Sequence, residues 1–414
     1  MAINYKPRSL VLCFALLSPL ILSACTTTLP EDAGVYEYSG GQGYMLPQRA
    51  FPEPNTATLS FYTNRYLNDH FGFSRYAIQP SEDARPIGEA TSTNSFLNQE
   101  IEQGALLSYL FYSDGELVYD ALIDDSNRNF YLTNRTPLVS WSVGKSLTSY
   151  LLGHAICEGF IESLDANVSD WPLVKNTVYE NQRLIDLVNM RAGDSHLVSD
   201  KGHFNGFFNS DRHPNLHSIR SFRDNELEGT KPSSRIWNYN GLATNVVLNY
   251  IIYRTPGDFE DWVNRIFHEN IRNSGVVMIL SNRAYDEEDG NARFVFYANR
   301  YDYLRIGLSV LEHWNKNTCF GNYLKEVYQR AERLPEPDKP AHQPITVSKY
   351  GGYFWSGYRG LEARKILGMN GYGGQNIIVD FDTNRVVVTN SVHVTYDWKA
   401  LVYDAIKYGE IRKD

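Results

Sequence analysis

The chain has too little cysteine for a disulfide framework: four residues in 414, two of them, Cys13 and Cys25, inside the first 25 positions. The remaining two, Cys157 and Cys319, either pair with each other in an oxidising compartment or stay reduced, Cys157 as a thiol within an apolar helical run. Basic charge is short as well. Against 48 Asp and Glu there are 39 Lys and Arg, a net charge of −9, which gives no support to a nucleic-acid partner. Past the N-terminus no stretch approaches the ~20 apolar residues that a membrane-spanning helix needs. Several catalytic motifs are missing too. Neither Gly-x-Ser-x-Gly nor His-Glu-x-x-His occurs, which argues against a nucleophile-elbow hydrolase and a zinc protease of those types. Gly144-Lys145-Ser146 ends like a phosphate loop, but the first glycine of that motif would fall on Val139. His213 and His217 are four apart, yet the intervening Pro214 and the absence of a glutamate make them a surface loop rather than a metal site. Nothing in the sequence calls for a metal or an organic cofactor.

At the N-terminus, Lys6 and Arg8 precede an apolar run from Leu10 to Leu22, and Leu22-Ser23-Ala24-Cys25 follows. This is the layout of a secretory signal, with small residues before the cut. The run is too short for a stable bilayer anchor, and Leu-Ser-Ala-Cys resembles the lipobox of bacterial lipoproteins, whose cysteine is acylated after cleavage. The expected mature chain starts at a lipidated Cys25 on a bacterial membrane, with an outer membrane facing the periplasm as the expected address; ordinary secretion with cleavage near Ala24 is the alternative. Two or more acyl chains would hold it firmly. Loss of residues 1–24 removes two positive charges and takes the net charge from −9 to −11.

Residues 25–55 are rich in Thr, Pro, Gly and Tyr without periodicity and read as a tether. From 56 to 414 the chain reads as one folded unit. Apolar runs on either side of Asp114-Gly115, within 105–120, predict a hairpin, and so do 376–380 and 385–389 around Phe-Asp-Thr-Asn. Between these hairpins the pattern is mainly helical. Leu147, Leu151 and Ala155 form part of an apolar face that stops at Gly159. Leu304–Trp314 is a second helix, 396–406 a closing one, and the prolines of 334–340 mark a surface loop. This arrangement gives a sheet subdomain of about 56–140 and 345–414 and a helical subdomain of about 160–340.

The chemistry centres on Ser142-Val-Gly-Lys145. A serine hydroxyl is a poor nucleophile until a base takes its proton, and residues i and i+3 on a helix have Cβ atoms ~5–6 Å apart. Lys145 can act as that base if it is partly desolvated or placed beside positive charge, since either lowers an amine's pKa. Ser142, at the helix start, gains from free N–H groups that stabilise negative charge.

Trp141-Ser-Val-Gly-Lys-Ser146 resembles the nucleophile motif of the serine β-lactamase and penicillin-binding superfamily. Gly159-Phe-Ile-Glu-Ser-Leu-Asp165 and Leu184-Ile-Asp-Leu-Val-Asn-Met-Arg-Ala-Gly193 are similar to the run that follows it in class C-like β-lactamases, esterases and 6-aminohexanoate-dimer hydrolases. Trp237-Asn-Tyr-Asn-Gly241 looks like that branch's second motif, with Tyr239 as its phenolic acid/base, Asn240 beside it, and Gly241 where an Asn or Ser side chain would stand. Gly371-Tyr-Gly-Gly-Gln375 resembles the branch's Gly-His-Gly-Gly-Gln, with Tyr372 replacing the histidine. Gly351-Gly-Tyr-Phe-Trp-Ser-Gly357 resembles its aromatic segment, and Asp302-Tyr-Leu-Arg-Ile-Gly307 its Asp-Leu-x-Arg-x-Gly helix. The likeness covers roughly 100–405.

The resemblance implies an α+β, β-lactamase/transpeptidase-like fold, with an antiparallel sheet flanked by helices and an inserted helical domain. It further implies a serine hydrolase of amidase or esterase type without a cofactor. Ser142, Lys145 and Tyr239 would be catalytic, the amides of Ser142 and Gln375 the oxyanion hole, and Asn240, Gly241, Trp355, Tyr372, Gly373 and Gly374 the pocket. Without a cation at Tyr372, neutral amides or esters suit the site better than carboxylate-bearing β-lactams. The rival readings are β-lactam or peptidoglycan-peptide turnover, and an inactive envelope lipoprotein that binds in the same cleft. The export reading predicts that mass spectrometry of the mature N-terminal peptide finds acylated Cys25, and that Cys25→Ser moves the protein from the membrane to the soluble fraction.

Overall fold

The computed structural model describes residues 74–103, 106–124, 132–198, 216–282, 286–335, 347–392 and 396–413, with Thr63 and Leu67 ahead of them. The signal and tether of 1–55 with Cys25, as well as His213 and residues 336–340, lie outside the described residues.

Twelve strands are described: β1 (Ser74–Ile78), β2 (Leu106–Ser113), β3 (Glu116–Leu122), β4 (Leu138–Val139), β5 (Val277–Ser281), β6 (Ala292–Ala298), β7 (Glu332–Arg333), β8 (Val347–Gly351), β9 (Phe354–Tyr358), β10 (Ile366–Gly371), β11 (Gln375–Asp380) and β12 (Arg385–Ser391). The helices that matter below are α1 (Ser95–Gln103), α2 (Val143–Cys157), α3 (Leu184–Val188), α4 (Leu242–Arg254), α5 (Phe259–Ile266), α6 (Arg300–Lys316), α7 (Cys319–Gln329) and, after a π-helical turn, α8 (Ala405–Tyr408).

Eight strands form one antiparallel sheet in the order β3-β2-β12-β11-β10-β9-β8-β7. Both predicted hairpins are in it. Asp114 and Gly115 at the β2–β3 turn have φ of 51° and 103°, the left-handed pair that an Asp-Gly hairpin adopts. Strand periodicity then divides the side chains between two faces. Ile377, Val379 and Val386 lie against Gly307 of α6, where a Cβ would collide with the first and last of them. On the opposite face, Ile366 and Ile378 meet Trp398, Val402 and Ile406 of the C-terminal helical segment, and the Tyr109 hydroxyl donates to the Leu401 carbonyl at 2.5 Å. The helix at 300–316 extends one turn beyond its apolar pattern because Asn299 caps it and the buried Asp302 pairs with Arg305 at 2.8 Å. Asp302 also accepts from the Ser274 and Gly275 amides, which fastens α6 to the segment before β5.

A second antiparallel sheet, β1-β5-β6-β4, was not legible in the sequence. Two of its strands fall within 160–340, so that stretch holds strands as well as helices. The reason is burial on both faces. Every residue of β6 is buried, so no polar alternation marks it as a strand. The two remaining cysteines pair: Cys157 at the end of α2 and Cys319 at the start of α7 form a disulfide, with Cα atoms 5.8 Å apart.

Beside that disulfide the His154 ring stacks on Phe320 at 4.6 Å and meets His313 edge-on at 5.7 Å. Burial, then the neighbouring His313, pushes the His154 pKa down to about 3, and burial with nearby Arg85 pushes His313 down to about 4. Both are therefore neutral when folded, whereas the unfolded chain takes up protons near pH 6.5. Stability that is fully present above this range drains away as the pH falls toward 4. Thermal melts should show Tm falling between pH 7 and 4, and His154→Leu should flatten that slope.

Candidate active site

The site is built where β4 hands the chain to α2. Ser140 continues the β4–β6 pairing, donating its amide to the Phe296 carbonyl at 2.8 Å, while its hydroxyl accepts from the Phe296 amide at 2.8 Å. The chain then reverses through Trp141 with φ of 47°, a left-handed value that is costly for so large a residue and that tends to occur at functional sites. Ser142 follows as the N-cap residue of α2, half-buried, and its hydroxyl makes no capping bond, so it is not spent on its own helix. Gly144 has no room for a side chain: a Cβ would run into the Phe294 carbonyl of β6. Two further bonds hold the helix, from Ser146 Oγ to the Tyr353 carbonyl at 2.6 Å and between Ser149 Oγ and the Tyr323 hydroxyl at 2.7 Å.

Lys145, one turn along, is buried. Its Nζ lies 3.6 Å from the centre of the Phe294 ring and 5.1 Å from the centre of the Tyr239 ring. Three sequence-predicted residues are thus brought together: Ser142 and Lys145 on one helical turn, and Tyr239 from nearly a hundred residues away. Tyr239 belongs to an aromatic group with Trp237, Tyr350 and Trp355, at ring separations of 4.7–6.1 Å. This places the predicted pocket residue Trp355 5.7 Å from Tyr239.

The glycine-rich segment is the turn between β10 and β11, with Gly371 opposite Gln375. Gly371 packs so closely on the Ser140 carbonyl that a Cβ would overlap it, which sets this turn beside the start of α2. Tyr372 meets Trp141 edge-on at 5.9 Å. Gly373 and Gly374 have φ of 76° and 95°, conformations that side-chain-bearing residues rarely adopt. The Gln375 side chain is fully buried and donates to the Ser391 carbonyl at 2.6 Å and the Tyr372 carbonyl at 3.1 Å, clamping the turn to β12.

Asn240 is committed differently from the pocket role expected for it. Its Oδ1 accepts from the Ala243 amide at 2.9 Å at the start of α4, and its Nδ2 donates to Asp194 at 3.0 Å. Gly241 is the N-cap residue of α4, with φ of −87°, a value open to any residue. Sequence reasoning missed Phe294, hidden in the unpatterned β6, and Asp194, which directly follows the Met190–Gly193 run. The motif at 302–307 anchors α6 on the sheet. A cleft of about 780 Å³ lies elsewhere, between α6 and the β2–β3 turn, lined by residues such as Arg85, Tyr112 and Glu312 and by neither Ser142 nor Tyr239.

No family profile matches the chain, and no curated protein sequence does. Solved structures do match. A Bacillus anthracis protein named as a candidate 6-aminohexanoate-dimer hydrolase superposes with a TM-score of 0.61 at 15% identity, over 84% of this chain and 93% of its own. A penicillin-binding protein homologue from Caulobacter crescentus gives 0.51 at 15% identity, over 75% and 94% of the two chains. A hydrolase with promiscuous acyltransferase activity gives 0.51 at 14% identity, over 75% and 96%. The chain has the β-lactamase/transpeptidase-like fold. At such identities the likeness fixes the architecture alone, and the chemistry has to be argued from the side chains.

In urea unfolding, Gly144→Ala, which pushes α2 off β6, should cost about 1–3 kcal/mol.

Proposed function

We propose that the protein is a serine hydrolase that cleaves a small neutral amide or ester through an acyl-enzyme on Ser142. The reading rests on one observation above the others: the Lys145 amine, one turn after Ser142, lies against the face of Tyr239. In this scheme the Ser142 hydroxyl attacks the substrate carbonyl carbon and forms the tetrahedral adduct. Its proton passes by way of Lys145 and Tyr239 to the leaving amine or alcohol as the carbonyl–leaving group bond breaks. Water then releases the acyl group, its proton returning along the same path to Ser142. The amides of Ser142 and Gln375 stabilise the oxyanion, a role supported by the packing of the 371–375 turn against Ser140. The scheme uses no metal or organic cofactor.

The walls favour an uncharged, apolar acyl group. Trp237, Tyr350 and Trp355 surround Tyr239, and Tyr372 stands where the resembled branch carries histidine. We place the protein in a bacterial envelope, held by lipid on Cys25, and the Cys157–Cys319 disulfide supports an oxidising compartment such as the periplasm.

The test is hydrolysis of p-nitrophenyl acetate. The wild-type protein should turn it over, Ser142→Ala should lower the rate by at least about 10³-fold, and nitrocefin should be a much poorer substrate. Wild-type protein without esterase activity would point to a binding lipoprotein, and fast nitrocefin hydrolysis to a β-lactamase.

A further inference from the structure

We infer that Asp194 is a positioning residue for Tyr239: one buried carboxylate grips both neighbours of the phenol and so fixes where its oxygen points. This rests on the hydrolase reading above. Asp194 is fully buried. Its Oδ1 accepts from Asn238 Nδ2 at 2.7 Å, and its Oδ2 accepts from Asn240 Nδ2 at 3.0 Å and from the Tyr179 hydroxyl at 2.8 Å. Tyr239 is the single residue between the two asparagines.

The rest of the bracket leaves little freedom. The Asn238 amide nitrogen donates to the Met190 carbonyl at 2.8 Å, its side chain also donates to the Val198 carbonyl at 2.8 Å, and Asn240 Oδ1 accepts from the Ala243 amide in the first turn of α4. Residues 190–198 therefore form a seat for the 238–240 segment, with Asp194 at its centre. All three partners donate, so the seat is matched to an acceptor-only carboxylate. An asparagine at 194 would turn an amide toward a group that is itself a donor. Asn240 cannot flip to accommodate it without giving up the bond it accepts from the Ala243 amide. Burial raises the Asp194 pKa while the three donors oppose the rise. A carboxylate kept in so dry a position, doing nothing for solubility, is accounted for by the geometry it imposes on Tyr239. Displacement of a reacting group by about 1 Å is enough to cost about 10²-fold in rate.

The experiment is a double-mutant cycle in the full chain, with p-nitrophenyl acetate and readouts of kcat, KM and Tm. Asp194→Asn should lower kcat about 10²-fold with KM nearly unchanged, and in a Tyr239→Phe background it should lower kcat no further, because its effect runs through the phenol. An unchanged kcat in Asp194→Asn, or an equal loss with and without the phenol, would overturn the inference. Should Asp194→Asn fail to fold, Tyr179→Phe removes one donor only and must show the same pattern at smaller amplitude. Full activity in Tyr239→Phe alone would instead remove the proton-shuttle reading, and the inference with it.

Discussion

The structure turns on one close approach: the first turn of α2 lies directly on the backbone of β6. Only glycine fits at 144, because the Phe294 carbonyl occupies the space a Cβ would need. That contact sets Lys145 over the Phe294 ring, and the Ser142 hydroxyl at the helix start makes no capping bond.

Around this contact, three separate stretches deliver the remaining parts. The β10–β11 turn abuts Ser140 through Gly371, the β8–β9 hairpin accepts the Ser146 hydroxyl and presents Trp355, and the loop before α4 brings Tyr239. The first two belong to the large sheet and are held by its ladder. The third is a loop, and its order comes from a buried carboxylate and two asparagines instead. Helix and sheet thus carry Ser142 and the aromatic surroundings of Lys145, while buried hydrogen bonds hold the loop that carries Tyr239.

Much of this was legible in the sequence where local rules and tertiary demands agree. Asp114-Gly115 announces a hairpin because left-handed backbone suits those residues, Gly159 ends α2 with φ of 78°, and the Ser142–Lys145 spacing puts both on one helical turn. Legibility fails where both faces of an element are buried. In β6 the residues Phe294, Val295, Phe296 and Tyr297 are all inside, so neither a strand nor a wall for Lys145 shows in the pattern. Strand β4 has two residues, too few to signal. The pairing of Cys157 with Cys319 joins residues 162 apart and depends on how α2 meets α7, which no local pattern records. The resemblance implies a pocket role for Asn240, and its amide is engaged with Asp194 and the Ala243 amide.

The 15% identity to the matched hydrolase-named structure leaves fold and chemistry as separate questions, and the chemistry depends on whether Ser142 is an activated nucleophile. The most direct measurement is peptide mass spectrometry after exposure to a fluorophosphonate probe, which reacts with activated serines. The account predicts a single phosphonyl adduct on the peptide that carries Ser142. An unmodified protein, or an adduct on another serine, would contradict it.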